Sequence, residues 1–245
     1  MLECLGVSKS FGGLQTLKNV DMTVKDHEIA GLVGPNRSGK STLLNIISGV
    51  YKPDSGKILF MNEDISRLPS YKICAKGIAK TSQIVQSFPE MKVIENVLVG
   101  GLFAENRGKE KRNAYERAEE LLEFVGLQKS KFNVPVKNLN IVELRRIQLA
   151  RALATEPKLL LLDELLTGLN PAESDRAIEL IKLIRDQGVT ILIVEHVMRV
   201  IMGLCDRVTV LHHGEKIAEG DPKSVINDDS VIRIYLGKKY SILED

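Results

Sequence analysis

The eight residues Gly34-Pro35-Asn36-Arg37-Ser38-Gly39-Lys40-Ser41 limit what this chain can fold into more than any other stretch. Two glycines separated by four residues, then Lys, then Ser, form a phosphate-loop pattern. Glycines let backbone N–H groups converge on an anion with no side chain in the way. Lys40 supplies a point charge for the outer phosphates, and the Ser41 hydroxyl is a hard oxygen suited to Mg²⁺. A helix starting at such a loop adds its N-terminal amides and positive dipole end. The flanks agree. Ile29, Ala30, Leu32 and Val33 read as a buried strand, and Thr42 to Ser48 has a helical apolar pattern stopped by Gly49. The candidate phosphate-binding residues are therefore Gly34, Pro35, Asn36, Arg37, Ser38, Gly39, Lys40, Ser41 and Thr42. Arg37 is irregular: a side chain there must still reach the backbone geometry of the loop, and it adds a cation beside the phosphates.

A second feature reinforces the first. Leu159-Leu160-Leu161-Leu162 ends in Asp163-Glu164, as suits a parallel strand buried on both faces with its acids at the carboxyl edge. Ligands bind at that edge in open α/β sheets. Asp163 is placed to join a Mg²⁺ shell, and Glu164 to orient or deprotonate an attacking water. Taken alone, the pair would read as an acidic helix cap. Thr190 to Val194 is another buried strand ending in Glu195-His196, and His196 is open to a structural or a catalytic reading. Gln83 follows a short strand, Ile78 to Ser82. Phe11, before Gly12-Gly13, is either a turn aromatic over a core edge or a ring that stacks on a base.

The rest of the pattern places these motifs. Leu2 to Leu5 and Val20 to Val24 read as antiparallel strands, and Lys57 to Met61 as a strand after the Pro53-Asp54-Ser55-Gly56 turn. Tyr71 to Lys76 reads as a short helix. From Pro89 to about Pro157 the pattern turns helical, with Glu95 onward, Lys109 to Val125 and Glu143 to Thr155 as its helices. Glu and Lys alternate in the second, as on a solvated face. Glu173 to Gln187 is an amphipathic helix, Asp206 to Leu211 and Glu215 to Glu219 a hairpin around His213-Gly214, and the tail from Pro222 a polar helical cap. The expected fold is α/β: a P-loop NTPase (RecA-like) core with an antiparallel β subdomain and a helical insert. Residues 1–88 and 157–245 form the core with the β subdomain, and 89–156 the helical subdomain, in one domain of 245 residues. The balance of 34 basic and 32 acidic residues singles out no nucleic acid or membrane surface. Three scattered cysteines show no metal spacing, and the sequence has neither a signal-peptide pattern nor a run able to cross a bilayer. The chain is expected to be cytosolic.

The order of these landmarks resembles the ATP-binding subunits of ABC transporters, over nearly all of the chain. It looks most like those of branched-chain amino acid importers, through Lys9-Ser10-Phe11-Gly12-Gly13-Leu14, Phe88-Pro89-Glu90-Met91-Lys92-Val93-Ile94-Glu95-Asn96, Gly168-Leu169-Asn170-Pro171 and Val194-Glu195-His196. The resemblance implies ATP and Mg²⁺ as ligands, with Phe11 on the adenine and Gly34 to Thr42 on the phosphates. It implies that Ser41, Gln83 and Asp163 serve the metal, that Glu164 is the general base, and that His196 positions the γ-phosphate and water. The implied partners are a second ABC ATPase subunit, integral-membrane permease subunits and, indirectly, an extracytoplasmic substrate-binding protein, with no nucleic acid. The implied place is the cytoplasm, peripheral on the inner face of the membrane through the permease. Alternatives are an ATP-binding regulatory subunit with little hydrolysis, and a soluble ATPase of the same family.

One motif departs from the family. Where Leu-Ser-Gly-Gly-Gln is expected, the chain has Leu139-Asn140-Ile141-Val142-Glu143, and Leu165 replaces the Pro that follows the catalytic Glu. Ile and Val crowd a backbone that glycine would open to phosphate. In the family this motif completes the partner's site, so the change predicts a pair with unequal sites. The opposing reading is that Asn140 and the helix N-terminus near Ile141 still hold an anion through backbone dipoles.

Overall fold

The computed structural model describes residues 1–84, 86–102 and 111–236. In chain order the elements are β1 (Leu2–Phe11), β2 (Leu14–Val24), β3 (Ile29–Val33), α1 (Lys40–Ile47), β4 (Ser55–Phe60), β5 (Glu63–Asp64), α2 (Ser70–Ala75), β6 (Ile78–Lys80), α3 (Val93–Gly101), α4 (Lys111–Phe124), α5 (Ile141–Leu153), β7 (Leu159–Asp163), α6 (Pro171–Asp186), β8 (Thr190–Val194), α7 (Met198–Leu204), β9 (Arg207–His212), β10 (Glu215–Gly220), α8 (Pro222–Ile226) and α9 (Asp229–Leu236). They build two sheets, one ordered β2-β1-β4-β5 and antiparallel, the other ordered β10-β9-β3-β8-β7-β6. In the second, β6, β7, β8, β3 and β9 are parallel, and only β10 runs against them.

Burial explains why the central strands read as continuous apolar runs. Every residue of β3, β7 and β8 is buried. Alternate residues point to opposite faces, as the two-residue period of a strand requires. Ile29, Val33, Leu160, Leu162, Ile191 and Ile193 pack on the face covered by α5, α6 and α7. Ala30, Leu32, Leu159, Leu161, Leu192 and Val194 pack on the other face, against α1 and the antiparallel sheet. A leucine fully buried this way contributes about 1.5–3 kcal/mol. The helices α3 and α4 pack on α5, and their apolar residues continue the first core without a break. Asn96, fully buried on α3, accepts from the Phe88 amide at 2.9 Å and donates to the carbonyls of Phe88 and Lys92, which ties the segment before α3 to that helix.

Several boundaries differ from the pattern. β1 and β2 are longer than Leu2 to Leu5 and Val20 to Val24, because Gly12 and Gly13, at φ 52 and 84, close a hairpin between them. Register shifts after Cys4, Val7 and Lys9 break the alternation, so a period-two reading undercounts both strands. β4 stops at Phe60, and Met61 and Asn62 turn the chain in left-handed geometry. β6 stops at Lys80, though the Thr81 amide still reaches the Leu161 carbonyl at 2.9 Å. α5 starts two residues before Glu143, because Asn140 caps it. α7 was not anticipated; seven residues are too short to display a period. The expected helix from Lys109 is described from Lys111, so Gly108, Lys109 and Glu110 lie outside the described residues, as does the tail after Leu236. Among the described residues no helix is long and apolar enough to cross a membrane.

At the amino edge of the sheet, Arg207 grips Glu28 with two prongs, Nε to Oε1 at 2.8 Å and Nη2 to Oε2 at 3.0 Å. It also donates to Thr23 of β2, and so fastens the antiparallel sheet to the core. Burial opposes the Glu28 charge, but the guanidinium and the Lys25 amide prevail and hold its carboxyl below the usual value. A depressed carboxyl stabilises the fold at neutral pH, and that contribution is lost as pH falls through the folded-state value. Arg207→Met leaves the buried carboxylate unpaired and is expected to cost about 3 kcal/mol at pH 7. The deficit should shrink as the pH drops towards the usual carboxyl range and Glu28 takes up a proton. Urea melts of both proteins across that range check both points.

Candidate active site

The register of the parallel strands brings the chemistry to one edge. Lys80 pairs Leu161, Asp163 pairs Val194, Leu32 pairs Val194 and Val33 pairs Val210. The loop after β3, Thr81 to Gln83 after β6, Glu164 after β7, Glu195-His196 after β8 and His213 after β9 therefore share the carboxyl end of the sheet. This is where open α/β sheets take ligands.

Backbone constraints shape the loop. Gly34 has φ 149, and a Cβ there would stand 2.1 Å from the Leu211 carbonyl oxygen of β9. Gly39 has φ 108, and its Cβ would meet the Leu17 side chain at 2.6 Å and the Thr16 carbonyl at 2.8 Å. Arg37 reaches the required geometry by standing in the left-handed region at φ 65. The loop closes on the β9–β10 turn, where the Gly214 amide donates to the Ser38 carbonyl at 3.0 Å. Beside the loop lies a cavity of about 590 Å³ lined by Leu14, Thr16, Arg37, Lys40, Thr42 and His213, among others. Its floor is the loop and the start of α1, so a phosphate chain there would meet Lys40 and the first α1 amides.

Lys40 is buried, and its ammonium donates to the carbonyls of Gly34 at 2.8 Å and Pro35 at 2.9 Å. Burial lowers its proton affinity, while Glu164 and Asp163 pull it back up, so the acidic strand end and the loop share one electrostatic site. Asp163 is buried too, and burial raises its carboxyl above the usual range against the pull of Lys80, whose ammonium stands 3.6 Å from Oδ2. Asp163 Oδ1 is buried with no hydrogen-bond partner. Gln83 donates from Nε2 to Glu164 Oε2 at 2.7 Å. Glu164 takes the left-handed region at φ 50, and its amide donates to the Val194 carbonyl at 3.0 Å. His196 is exposed just past β8. Phe11 ends β1 with its ring edge-on to Tyr51, centroids 5.1 Å apart, and Lys9 5.4 Å from its centre, and it does not line the loop cavity.

The donor set fits a hard cation shared with phosphate. Asp163 Oδ1 lacks a partner, the Ser41 hydroxyl stands in the first turn of α1, and the Gln83 amide lies at the same edge. No group of three or more His, Cys, Asp and Glu able to hold a metal occurs among the described residues. So few protein ligands suit Mg²⁺, which keeps water and phosphate oxygens in its shell.

Three neighbours of this site were not read from the sequence. Lys80, held between Asn45 of α1 and Asp163, follows an unremarkable alanine in a short strand. His213, a turn residue between β9 and β10, also lines the loop cavity. Glu195, beside His196, is wholly buried. Pairing of β6 with β7, of β7 with β8 and of β9 with β3 creates these neighbourhoods, and no local pattern encodes it.

A phosphate loop facing buried acids at the carboxyl edge of a parallel sheet, with an antiparallel sheet on one side and a helical block inserted, defines a P-loop ATPase cassette. Residues 17–167 match the ABC transporter family. The high-affinity branched-chain amino acid transport ATP-binding protein LivG of Escherichia coli (strain K12) is 38% identical over 251 residues, covering 97% of this chain and 98% of LivG. The ADP conformation of MJ1267, an ATP-binding cassette of an ABC transporter, superposes with a TM-score of 0.84 at 30% identity, covering 97% of this chain and 99% of that one. The dimeric post-hydrolysis state of the cassette MJ0796, bound to ADP and Pi, gives 0.83 at 28% identity, covering 91% and 99%. The chain belongs to the ABC transporter family and is one of its ATP-binding, ATP-hydrolysing subunits.

Gly34→Ala forces a methyl against β9 in a backbone region that L-residues avoid. It is expected to cost about 1–3 kcal/mol of stability and to weaken ATP binding. Gly101→Ala on α3, whose methyl meets nothing nearer than 4.0 Å, should do neither. Thermal melts with and without ATP compare the two.

Proposed function

We propose that this chain energises an importer of branched-chain amino acids or related small amino acids, with the substrate chosen by other subunits. The observation that carries the catalytic reading is the 2.7 Å contact of Gln83 with Glu164, beside an Asp163 oxygen without a partner and within the electrostatic reach of Lys40. Lys40 and the backbone amides between Asn36 and Thr42 hold the phosphates of ATP, and Arg37 adds a cation at their rim. Ser41, Gln83 and Asp163 hold Mg²⁺, which when bound neutralises charge on the outer phosphates. Glu164 takes the proton of the attacking water as the water oxygen bonds to the γ-phosphorus and the bond to ADP breaks. His196 steadies the γ-phosphate, and Phe11 stacks on the adenine once ligand draws it from Tyr51. The helices α3, α4 and α5 move as one body, and Gln83, which precedes α3 in the chain, passes on whether γ-phosphate is present.

The permease is the proposed membrane partner. A cleft of about 660 Å³ between α2, β6 and α5, lined by Cys74, Lys80, Gln86, Phe88, Gln148 and Arg151, supports this reading. It opens directly beside the Gln83 segment and offers the half-exposed Phe88 ring. The chain works on the cytoplasmic face of the membrane through that contact, and an extracytoplasmic binding protein delivers the substrate.

The second cassette is proposed to be a different chain. At the N-terminus of α5, Asn140 Oδ1 accepts from the Glu143 amide at 2.9 Å and Glu143 Oε2 accepts from the Asn140 amide at 3.1 Å. This reciprocal cap occupies two amides of the helix end, those of Asn140 and Glu143, and leaves those of Ile141 and Val142 as the ones a partner's phosphate would have to reach. Ile141 is 55% exposed, and a branched side chain at each of Ile141 and Val142 crowds those two amides. The site built on this chain's own loop therefore hydrolyses ATP against an intact signature, and the opposite site is slow.

Two results test these readings. Glu164→Gln should leave ATP binding in place and lower phosphate release roughly 10²- to 10⁴-fold, as loss of a general base does. A wild-type chain that releases no phosphate beside its partner cassette would instead be a regulatory switch. Alone with ATP, the Glu164→Gln chain should sediment as a monomer, and a stable homodimer overturns the unequal pair.

A further inference from the structure

Glu195 is 0% exposed, and burying a carboxylic acid costs free energy unless its oxygens are hydrogen-bonded. Its Oε1 accepts the Leu166 amide at 2.8 Å, and its Oε2 is buried with no hydrogen-bond partner. Burial pushes its carboxyl above the usual range. A group this expensive to bury needs a reason, and the Leu166 amide supplies one.

The loop after β7 is held from the end of β8 at two consecutive residues. The Glu164 amide donates to the Val194 carbonyl at 3.0 Å, and the Leu166 amide donates to the Glu195 side chain. Between these two bonds Glu164 keeps φ 50, a conformation that costs a non-glycine residue free energy and persists only when its surroundings impose it. Thr167 is caught from the far side, where Arg145 of α5 donates to its carbonyl. His196 follows Glu195 directly, so the same anchor fixes the spacing between His196 and the loop that bears Glu164.

We infer that Glu195 is a positioning residue for hydrolysis: its carboxyl clamps the Leu166 amide and holds the Glu164 backbone in the orientation that aims its side chain at the phosphate loop. The inference deepens the proposed function and rests on Glu164 acting on the attacking water. The clamp is a hydrogen bond to an acceptor oxygen and does not need a charge. Glutamine keeps that oxygen, and leucine keeps the volume without it.

The test compares Glu195→Gln and Glu195→Leu with the unsubstituted protein beside its partner cassette. Glu195→Gln should hydrolyse ATP near the original rate. Glu195→Leu should lose roughly ten- to a hundred-fold in kcat, as a displacement of about 1 Å can do, while KM for ATP stays within about two-fold. Amide exchange gives a readout separate from activity. The Leu166 amide should be protected in the unsubstituted protein and in Glu195→Gln, and exchange roughly ten-fold faster or more in Glu195→Leu. Equal kcat for Glu195→Leu and the unsubstituted protein overturns the inference, as does a Gln variant as impaired as the Leu variant. Should Glu195→Leu fail to fold, fast exchange at Leu166 in the unsubstituted protein overturns it too. A protected Leu166 amide together with a fully active Glu164→Gln would sink the general-base reading and leave the clamp standing.

Discussion

A carboxylate at the end of a strand of leucines is the costly arrangement that the rest of this structure serves. Leu159 to Leu162 are fully buried, and Asp163 continues the strand with its side chain only 5% exposed. A charge so placed is stable only with compensation. Lys80 supplies part of it at Oδ2, and Lys40 part from across the phosphate loop. Both lysines are themselves held down by burial and drawn back up by the acids. Oδ1 is left over. The sheet has therefore gathered two cations and two carboxylates around a point where one more cation and a chain of phosphates complete the balance.

The architecture was legible wherever one residue type has one physical use. Gly34 and Gly39 stand where a Cβ would strike β9 or Leu17, so their spacing reports a backbone requirement. The leucines of β7 read as a two-sided strand because they are one. The pattern failed where the determining contact is remote. β1 and β2 shift register and lose their alternation. Lys80 and Glu195 look like ordinary polar residues until strand pairing sets them against Asp163 and Leu166. Phe11 is open to two readings, and its ring stands edge-on to Tyr51 without lining the loop cavity.

The departure at Leu139 to Glu143 has a local logic. Replacing a serine and two glycines with Asn140, Ile141 and Val142 gives up a close approach but strengthens the helix. Asn is among the best N-cap residues, and Glu143 completes a reciprocal box with it. Lys131, 3.5 Å from Glu143, adds an ion pair at the same end. Two amides of this N-terminus, those of Asn140 and Glu143, are thus satisfied from within the chain.

Charge alone does not close such a helix end to phosphate. A carboxylate at a helix N-terminus contributes about 0.3–1 kcal/mol, and a doubly charged phosphate could displace it. Shape is the stronger obstacle. Reaching the Ile141 and Val142 amides requires a phosphate to come within hydrogen-bond distance of a backbone flanked by two branched side chains, one of them projecting into solvent. The side chains would have to turn aside and the Asn140–Glu143 box would have to open together. A partner that does not present phosphate deeply at this point meets neither cost. The asymmetry of the proposed pair then follows from sterics at two residues, while the chain's own phosphate loop, its lysine and its acids keep everything they need.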